Sequence, residues 1–412
     1  MWAYQILLKL LTPFIFIKLK RFADNHENYS ISQALGEVES RISVDLWIHC
    51  ASVGEVLAVR PLVAEWQRLH PQKKLLITTM TPTGAAQVDQ LFKHNVQHHY
   101  LPVDFKKSVK RFLDKILCSK LVIVETEMWP NLLMQCQQND IEVFLINARL
   151  SERSLKKYLK FASLSKKIMQ IPKKICAHDG VDAKRFEQLG AKNVCVTGNI
   201  KFDLTVPNTV LESNWRSLFS DETLVWVGAS THEDEETLLC ESHKVIKQHH
   251  LHALLILVPR HPERFEDVYK LAKLHFTRVA KRSEVSAENW SGYDVIIGDS
   301  MGELLSYYHC SDVAFVGGSL IKRGGHNPIE PALLSKPILV GEHTFNFKEI
   351  TQGLIDEGAG LICHDESALA SRLLKLLGDS SLRMSMGEKA LFFARRNQGA
   401  VGRVLSRIGE ME

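Results

Sequence analysis

The sequence predicts an α/β protein built of two successive Rossmann-like units, and three observations predict it. From Leu46 onward, short apolar runs of strand length alternate with amphipathic stretches of helix length. That is the pattern of parallel sheets joined by crossover helices. The alternation lapses over GNIKFDLTVPNTVLESNW, Gly198 to Trp215, which contains Pro207, and then resumes. At 412 residues the chain also has room for two domains of ordinary size. It divides into an N-terminal helix (1–22), an N-terminal unit (23–205), a C-terminal unit (206–385) and a terminal helix (386–412) that crosses back to cover the first unit.

Composition narrows the classes. Hydrophobic residues make up 45% and charged residues 24%, as in a soluble globular protein. A net charge of +4 is too small to argue for a nucleic-acid partner. The 8 cysteines are scattered without a CxxC pair, which fits reduced thiols in the cytosol and offers no zinc site. His98–His99 and His249–His250 lack a carboxylate or thiol at ligand spacing and read as surface histidines. No metal ligand is assigned.

Taken in order, the first element is apolar. Trp2 to Ile17 is interrupted only by Gln5, Lys9 and Thr12, and is followed at once by Lys18, Lys20 and Arg21. No small-x-small site follows, which argues against a cleaved signal peptide. The 16 residues make roughly 24 Å of helix against a hydrocarbon core of about 30 Å, with Lys9 midway. Gln5, Lys9 and Thr12 share one face, opposite Leu7, Leu10, Leu11 and Phe14. The pattern is that of a helix lying in or on a membrane surface, with the basic residues keeping the body on the cytoplasmic side.

In the N-terminal unit, LWIHC, LLITT, QHHYLPV, LVIVE, VFLINA and KICAH read as strands. Val56–His70, Ala85–Lys93, Phe105–Leu117, Pro130–Gln138 and Ser154–Phe161 read as helices. The unusual residues fall at strand carboxyl ends, where open α/β sheets bind ligands. Ser52-Val53-Gly54-Glu55 sets a carboxylate at a helix start beside a flexible Gly, a position suited to a general base on a hydroxyl. In VETEMWPN, strand alternation points Glu125 and Glu127 the same way. One would bind an acceptor or support the base, and the sequence does not separate them. NARLSERS offers Asn147, Arg149, Ser151 and Arg153 for an anionic group.

In the C-terminal unit, VWVGAS, ALLILVPRH, VIIGD, AFVGG, PILVG and GLICH read as strands. HEDEE, His232 to Glu236, reads as an acidic first turn that complements a helix dipole. Arg260 stands just past a strand, and Met301 and Gly302 follow another. The most informative stretch is FVGGSLIKRGGHNPIEPA, Phe315 to Ala332. Gly317, Gly318, Gly324 and Gly325 let backbone approach a ligand closely. The helix after Pro328 offers free N–H groups to a phosphate, and Lys322 and Arg323 add charge. Glu330, about one turn inside, suits a ribose diol. There is no G-x-G-x-x-G after the first strand, no P-loop and no GxSxG, which weakens dehydrogenase, kinase and hydrolase readings.

With these strings in place, the chain resembles the 3-deoxy-D-manno-octulosonic acid (Kdo) transferases, glycosyltransferase family 30. WIHCASVGE, VETEMWPN, NARLSERS, GNIKFD, GASTHEDEE, LVPRHPERF, GDSMGEL, FVGGSLIKRGGHNPIEPA and NQGA occur in family order from Trp47 to Ala400. The resemblance implies a GT-B fold, two Rossmann-like domains facing across a cleft, with an N-terminal membrane-associated helix at the cytoplasmic face of the inner membrane. It implies metal-independent, cofactor-free, inverting transfer of Kdo from CMP-Kdo to the lipid A precursor. Glu55 would be the base and Glu127 the second catalytic carboxylate, with Ser52, Gly54, Glu125, Asn147 and Arg149 on the acceptor. CMP would be held by Arg260, Met301, Gly302, the Gly317–Gly318–Ser319 backbone, Lys322, Asn327 and Glu330. One departure stands out: where the family carries R-x-G-E-R before the first strand, NYSISQALGEVESR keeps only Gly36 and Glu37, so no contact is assigned there. The competing readings are a GT-B transferase of a UDP-sugar and a non-catalytic sugar-nucleotide binder.

Overall fold

The computed structural model describes residues 2–285, 290 and 292–411. They form two compact units, Met1–Asp203 with Gln398–Glu412, and Leu204–Asn397.

The first unit carries strands β1 (Leu46–His49), β2 (Leu75–Thr79), β3 (Gln97–Tyr100), β4 (Lys120–Val124), β5 (Glu142–Ala148), β6 (Lys174–Ala177) and β7 (Val194–Val196). All pair in parallel, in the order β3-β2-β1-β4-β5-β6-β7. Parallel strands are covered on both faces and so read as continuous apolar runs. Trp47, Phe112, Leu121 and Phe186 pack on one face, and Val63, Trp66, Val122 and Val404 on the other. The chain moves outward from β1 to β3 and then returns to lay β4 on the other side of β1. The crevice above β1 and β4 is therefore the topological switch point.

The second unit repeats this plan with β8 (Val225–Thr231), β9 (Leu254–Pro259), β10 (Val279–Lys281), β11 (Val295–Ile297), β12 (Val313–Val316), β13 (Ile338–Val340) and β14 (Gly360–Ile362). The order is β10-β11-β9-β8-β12-β13-β14, all parallel, with the switch point above β8 and β12.

Several elements depart from expectation. The helix read over Val56–His70 is two, Val53–Ala58 and Arg60–Leu69, because Pro61 starts a new helix rather than continuing one. His99 is no surface residue: it is buried on β3 with Nδ1 2.8 Å from the Tyr100 carbonyl oxygen. His98, beside it, pairs Nε2 with the Thr79 hydroxyl at 2.9 Å. The helix read over Met386–Ile408 is also two, Ser380–Arg396 and Ala400–Arg407, separated at Gly399 with φ 88°. The second of these buries Val401, Val404 and Leu405 in the core of the first unit. Asp203 accepts the Gly399 and Val401 N–H groups, and Glu410 accepts the Trp66 indole N–H at 2.8 Å.

The N-terminal helix, Trp2–Asn25, is tied to the first unit by its polar side. Tyr4 donates to Asp104 Oδ2 at 2.8 Å and Gln5 to Asn131 Oδ1 at 2.6 Å, while Leu8 and Leu19 are buried. Trp2, Leu7, Leu10, Phe14 and Ile17 are left exposed. Among the described residues no helix is long and apolar enough to cross a membrane.

Candidate active site

Three carboxylates gather at the switch point of the first unit. Ser52 caps the helix Val53–Ala58, and its hydroxyl donates to Glu55 Oε1 at 2.8 Å while the Ala51 N–H donates to Oε2 at 2.7 Å. Two of the four lone-pair positions of Glu55 are thereby used. The residue is only 6% exposed. Burial pushes its carboxyl up to about 8, with the charges of Glu125 and Glu127 adding to the rise and the Ser52 and Ala51 bonds opposing it. An acid so poised exchanges protons near neutrality, as a general base must. Gly54 lies exposed on the first turn, where a Cβ would meet nothing nearer than Ser52 Oγ at 3.8 Å.

Glu125 and Glu127 do not continue the strand. β4 ends at Val124, and Glu125 takes a left-handed φ of 59°, so strand alternation does not set the two carboxylates. Glu125 instead pairs with Lys201 Nζ at 3.4 Å. Glu127 is half-buried and its pKa is raised, first by burial; the Trp129 indole pulls it partly back, and the Glu125 charge adds to the rise. Trp129 Nε1 is buried without a well-formed hydrogen bond among the described residues.

Asn147 sits in a bulge of β5 at φ 50°, a conformation Asn tolerates. Its Oδ1 accepts the Ile200 N–H at 3.0 Å, and its Nδ2 is buried with no partner among the described residues. Arg149 is exposed, and its carbonyl accepts the Thr126 hydroxyl. Ser151 caps the helix Glu152–Leu159. Sequence reasoning missed two neighbours. Lys201 lay in the segment read as a hinge, and His178 ended a strand read only for its apolar part. Burial holds His178 down to about 3, helped by Lys201 and Arg149.

In the second unit the glycine loop follows β12 at the switch point, but its amides do not face a ligand. The Gly317 N–H donates to the Ala229 carbonyl at 2.8 Å. The N–H groups of Gly318, Ser319 and Leu320 donate to the buried Glu235 carboxylate at 2.7, 2.9 and 3.0 Å. The expected phosphate cradle of Gly317, Gly318 and Ser319 amides is therefore occupied from within. Ser319 is fully buried, accepting the Gly341 N–H at 2.8 Å and donating to the Val316 carbonyl. HEDEE correspondingly does more than complement a dipole: Glu235 shapes the loop, and Glu236 binds Arg264 at 2.5 Å and the Thr231 hydroxyl at 2.9 Å. The helix behind the loop, Ile329–Leu333, has 5 residues and its first N–H is taken by Asn327 Oδ1, so Glu330 stands in the first turn rather than one turn inside. Asn327 Nδ2 reaches Glu330 Oε1 at 3.4 Å.

What faces the switch point is a basic cluster that sequence reasoning did not assemble. His232, after β8, and His326, after the glycine loop, meet Nε2 to Nε2 at 2.8 Å with their rings stacked at 13°. His261 lies edge-on to His232 at 5.4 Å. Burial lowers His232 to about 4 and His326 to about 3; Arg260 and His261 act on both rings and Arg323 on His232. One ring thus donates its proton to the other. Lys322 and Arg323 are exposed, as are Met301 and Gly302, whose φ of 85° is left-handed. Among the described residues no group of three or more His, Cys, Asp or Glu is arranged to hold a metal ion.

Two parallel-sheet units, each with its ionisable groups at the switch point, define the chain as an α/β enzyme of the GT-B type. The crystal structure of Acinetobacter baumannii MurG shares the fold at a TM-score of 0.56 and 13% identity, covering 90% of this chain and all of that one. A profile of the 3-deoxy-D-manno-octulosonic-acid transferases (kdotransferases) matches residues 20–204. The 3-deoxy-D-manno-octulosonic acid transferase of Haemophilus influenzae is 38% identical over 87% of this chain and 85% of its own. That of Bordetella pertussis is 31% identical over 98% and 97% respectively. The chain belongs to the Kdo transferase family and is a glycosyltransferase.

Proposed function

We propose that the chain transfers Kdo from CMP-Kdo to a hydroxyl of the lipid A precursor, lipid IVA, by inverting, metal-independent displacement. The setting is lipopolysaccharide synthesis at the cytoplasmic face of the inner membrane, with the exposed apolar side of the helix Trp2–Asn25 lying on the bilayer. In the transfer, the acceptor oxygen forms a bond to the anomeric carbon of Kdo and its proton passes to Glu55. The bond from that carbon to the CMP phosphate oxygen breaks, and its electron pair leaves on CMP. Arg260, His232 and His326 meet the phosphate, and Asn327 and Glu330 suit the ribose hydroxyls. The observation that carries the reading is Glu55 itself, a carboxyl with two lone-pair positions unused and a pKa raised to about 8.

Thermal shift with CMP and with UDP tests the donor. CMP at about 100 times its Kd should add about 2.7 kcal/mol to stability. Mass spectrometry of products from purified protein, lipid acceptor and freshly generated CMP-Kdo should show the added sugar. Stabilisation by UDP and none by CMP would overturn the donor assignment in favour of a UDP-sugar.

A further inference from the structure

A cavity of about 640 Å³ opens in the first unit between the N-terminal helix, the start of the helix Pro130–Gln138 and the helices Glu152–Leu159 and Ala162–Met169. Leu7, Met128, Phe161, Leu164 and Ile168 line it. The volume falls in the range of pockets that enclose organic ligands, about 300–1,000 Å³. A polar ligand would find few partners here, and unpaired polar groups are costly to bury. Ser165 already donates its hydroxyl to the Tyr158 carbonyl at 2.8 Å. A hydrocarbon chain needs no partner.

The two borders of the cavity select among apolar ligands. On one side Leu7 belongs to the same helix as Trp2, Leu10, Phe14 and Ile17, all at least 66% exposed. On the other side Met128 directly follows Glu127, and the lining residue Tyr158 feels the Glu127 charge. The cavity thus joins an exposed apolar surface to the carboxylate cluster. It is also preformed, because the Tyr4 and Gln5 bonds to Asp104 and Asn131 hold the helix that carries Leu7 in place.

We infer that this cavity takes one acyl chain of the acceptor, placing the sugar of the same molecule at the Glu55, Glu125 and Glu127 carboxylates. The inference rests on the reading of the acceptor as a lipid and assigns the residues that recognise its chain.

Ala162→Trp and Ser163→Trp, both at exposed positions of the lining, test it by filling the space. Each should raise KM for the acylated acceptor at least tenfold while leaving the CMP thermal shift unchanged. Turnover of the same disaccharide stripped of its acyl chains should be unaffected. With the wild-type protein, shortening the acyl chains should lower kcat/KM by about fourfold per methylene withdrawn from the cavity. Displacement of bound cis-parinaric acid, a fluorescent alkyl probe, should be lost in both variants. An unchanged KM in two folded variants overturns the inference, as does indifference to chain length. A fall in vesicle binding that matches the loss of activity overturns it too, since the cavity would then contact the bilayer. Retained probe binding in the wild type with no Kdo transfer to any acceptor would leave the cavity standing and reject the proposed reaction instead.

Discussion

Replacing Glu55 with Gln separates what the carboxylate costs from what it does. Burial raises its pKa from 4.5 to about 8 in the folded chain. The folded protein therefore holds a proton that the unfolded chain releases, so stability falls as pH rises from about 4.5 to about 8 and the full penalty applies above that. At 1.36 kcal/mol per unit the upper bound is about 5 kcal/mol. Coupling to Glu127, whose carboxyl is also raised, and local relaxation reduce this to about 2–3 kcal/mol. The Gln side chain keeps the neutral geometry: its carbonyl can accept the Ala51 N–H and its amide can donate to the Ser52 hydroxyl. At about pH 4, below the pKa of the carboxyl in either state, the two proteins should melt together. At about pH 9 the variant should melt higher by about 4–12 °C, taking 2–4 °C per kcal/mol for a unit of this size. Transfer should fall by about 10²–10⁴ with CMP binding unchanged, and with CMP-Kdo saturating the wild-type rate should climb with pH through about 8. Scanning calorimetry across the pH series and single-turnover transfer read both effects. A melting difference that stays constant with pH, or transfer at the wild-type rate, would refute the reasoning.

Further outcomes follow from the glycines of the two units and from the histidine pair of the second. In Gly317→Ala the new Cβ would lie 2.6 Å from the Ser230 carbonyl oxygen and 2.9 Å from that of Ala229, both backbone, so a loss of about 3 kcal/mol is expected in chemical denaturation; Gly54→Ala, with open space around it, should be neutral or slightly stabilising. Binding of CMP should take up a proton, because the phosphate supplies the negative charge that the His232–His326 pair lacks at rest; calorimetry in two buffers of different ionisation enthalpy measures the uptake, and His326→Gln should reduce it and weaken binding.

The strands were legible because parallel strands buried on both faces leave uninterrupted apolar runs, as in LLITT and LLILVP. β7 and β10 escaped notice since short edge strands carry too few residues to show a pattern. Glu55 was legible because its chemistry is local: cap, glycine and carboxylate lie within four consecutive residues. The Glu235 clamp was not, since 83 residues separate Glu235 from the Gly318 N–H it accepts. The same holds for the His232–His326 pair, 94 residues apart. Positive φ at Glu125 and Asn147 was also invisible, because nothing in a non-glycine residue announces a left-handed backbone. Lys201 was lost to a true signal misread, the lapse of alternation around it. The boundary between the units does fall in that segment, at Asp203/Leu204, but Ile200 and Phe202 are buried and Lys201 with them belongs to the first unit.

The occupied amides determine how the second unit can meet an anion. A phosphate that took the Gly318, Ser319 and Leu320 N–H groups would strand Glu235, and an unpaired buried carboxylate costs several kcal/mol. The loop is thus a shape rather than a grip, and in the proposed transfer the attraction comes from Arg260 and the two histidines. Those rings are neutral at rest, as burial requires of groups packed 2.8 Å apart. In the proposed transfer the ligand's own charge makes their protonation favourable, so no desolvated cation is held in the histidine pair while it is empty. Glu55 is kept neutral by the same cause and must lose its proton to work. The two units therefore respond to pH in opposite senses. Donor affinity should weaken as pH rises, the base should strengthen, and transfer at subsaturating CMP-Kdo should pass through a maximum that moves to higher pH when donor is saturating.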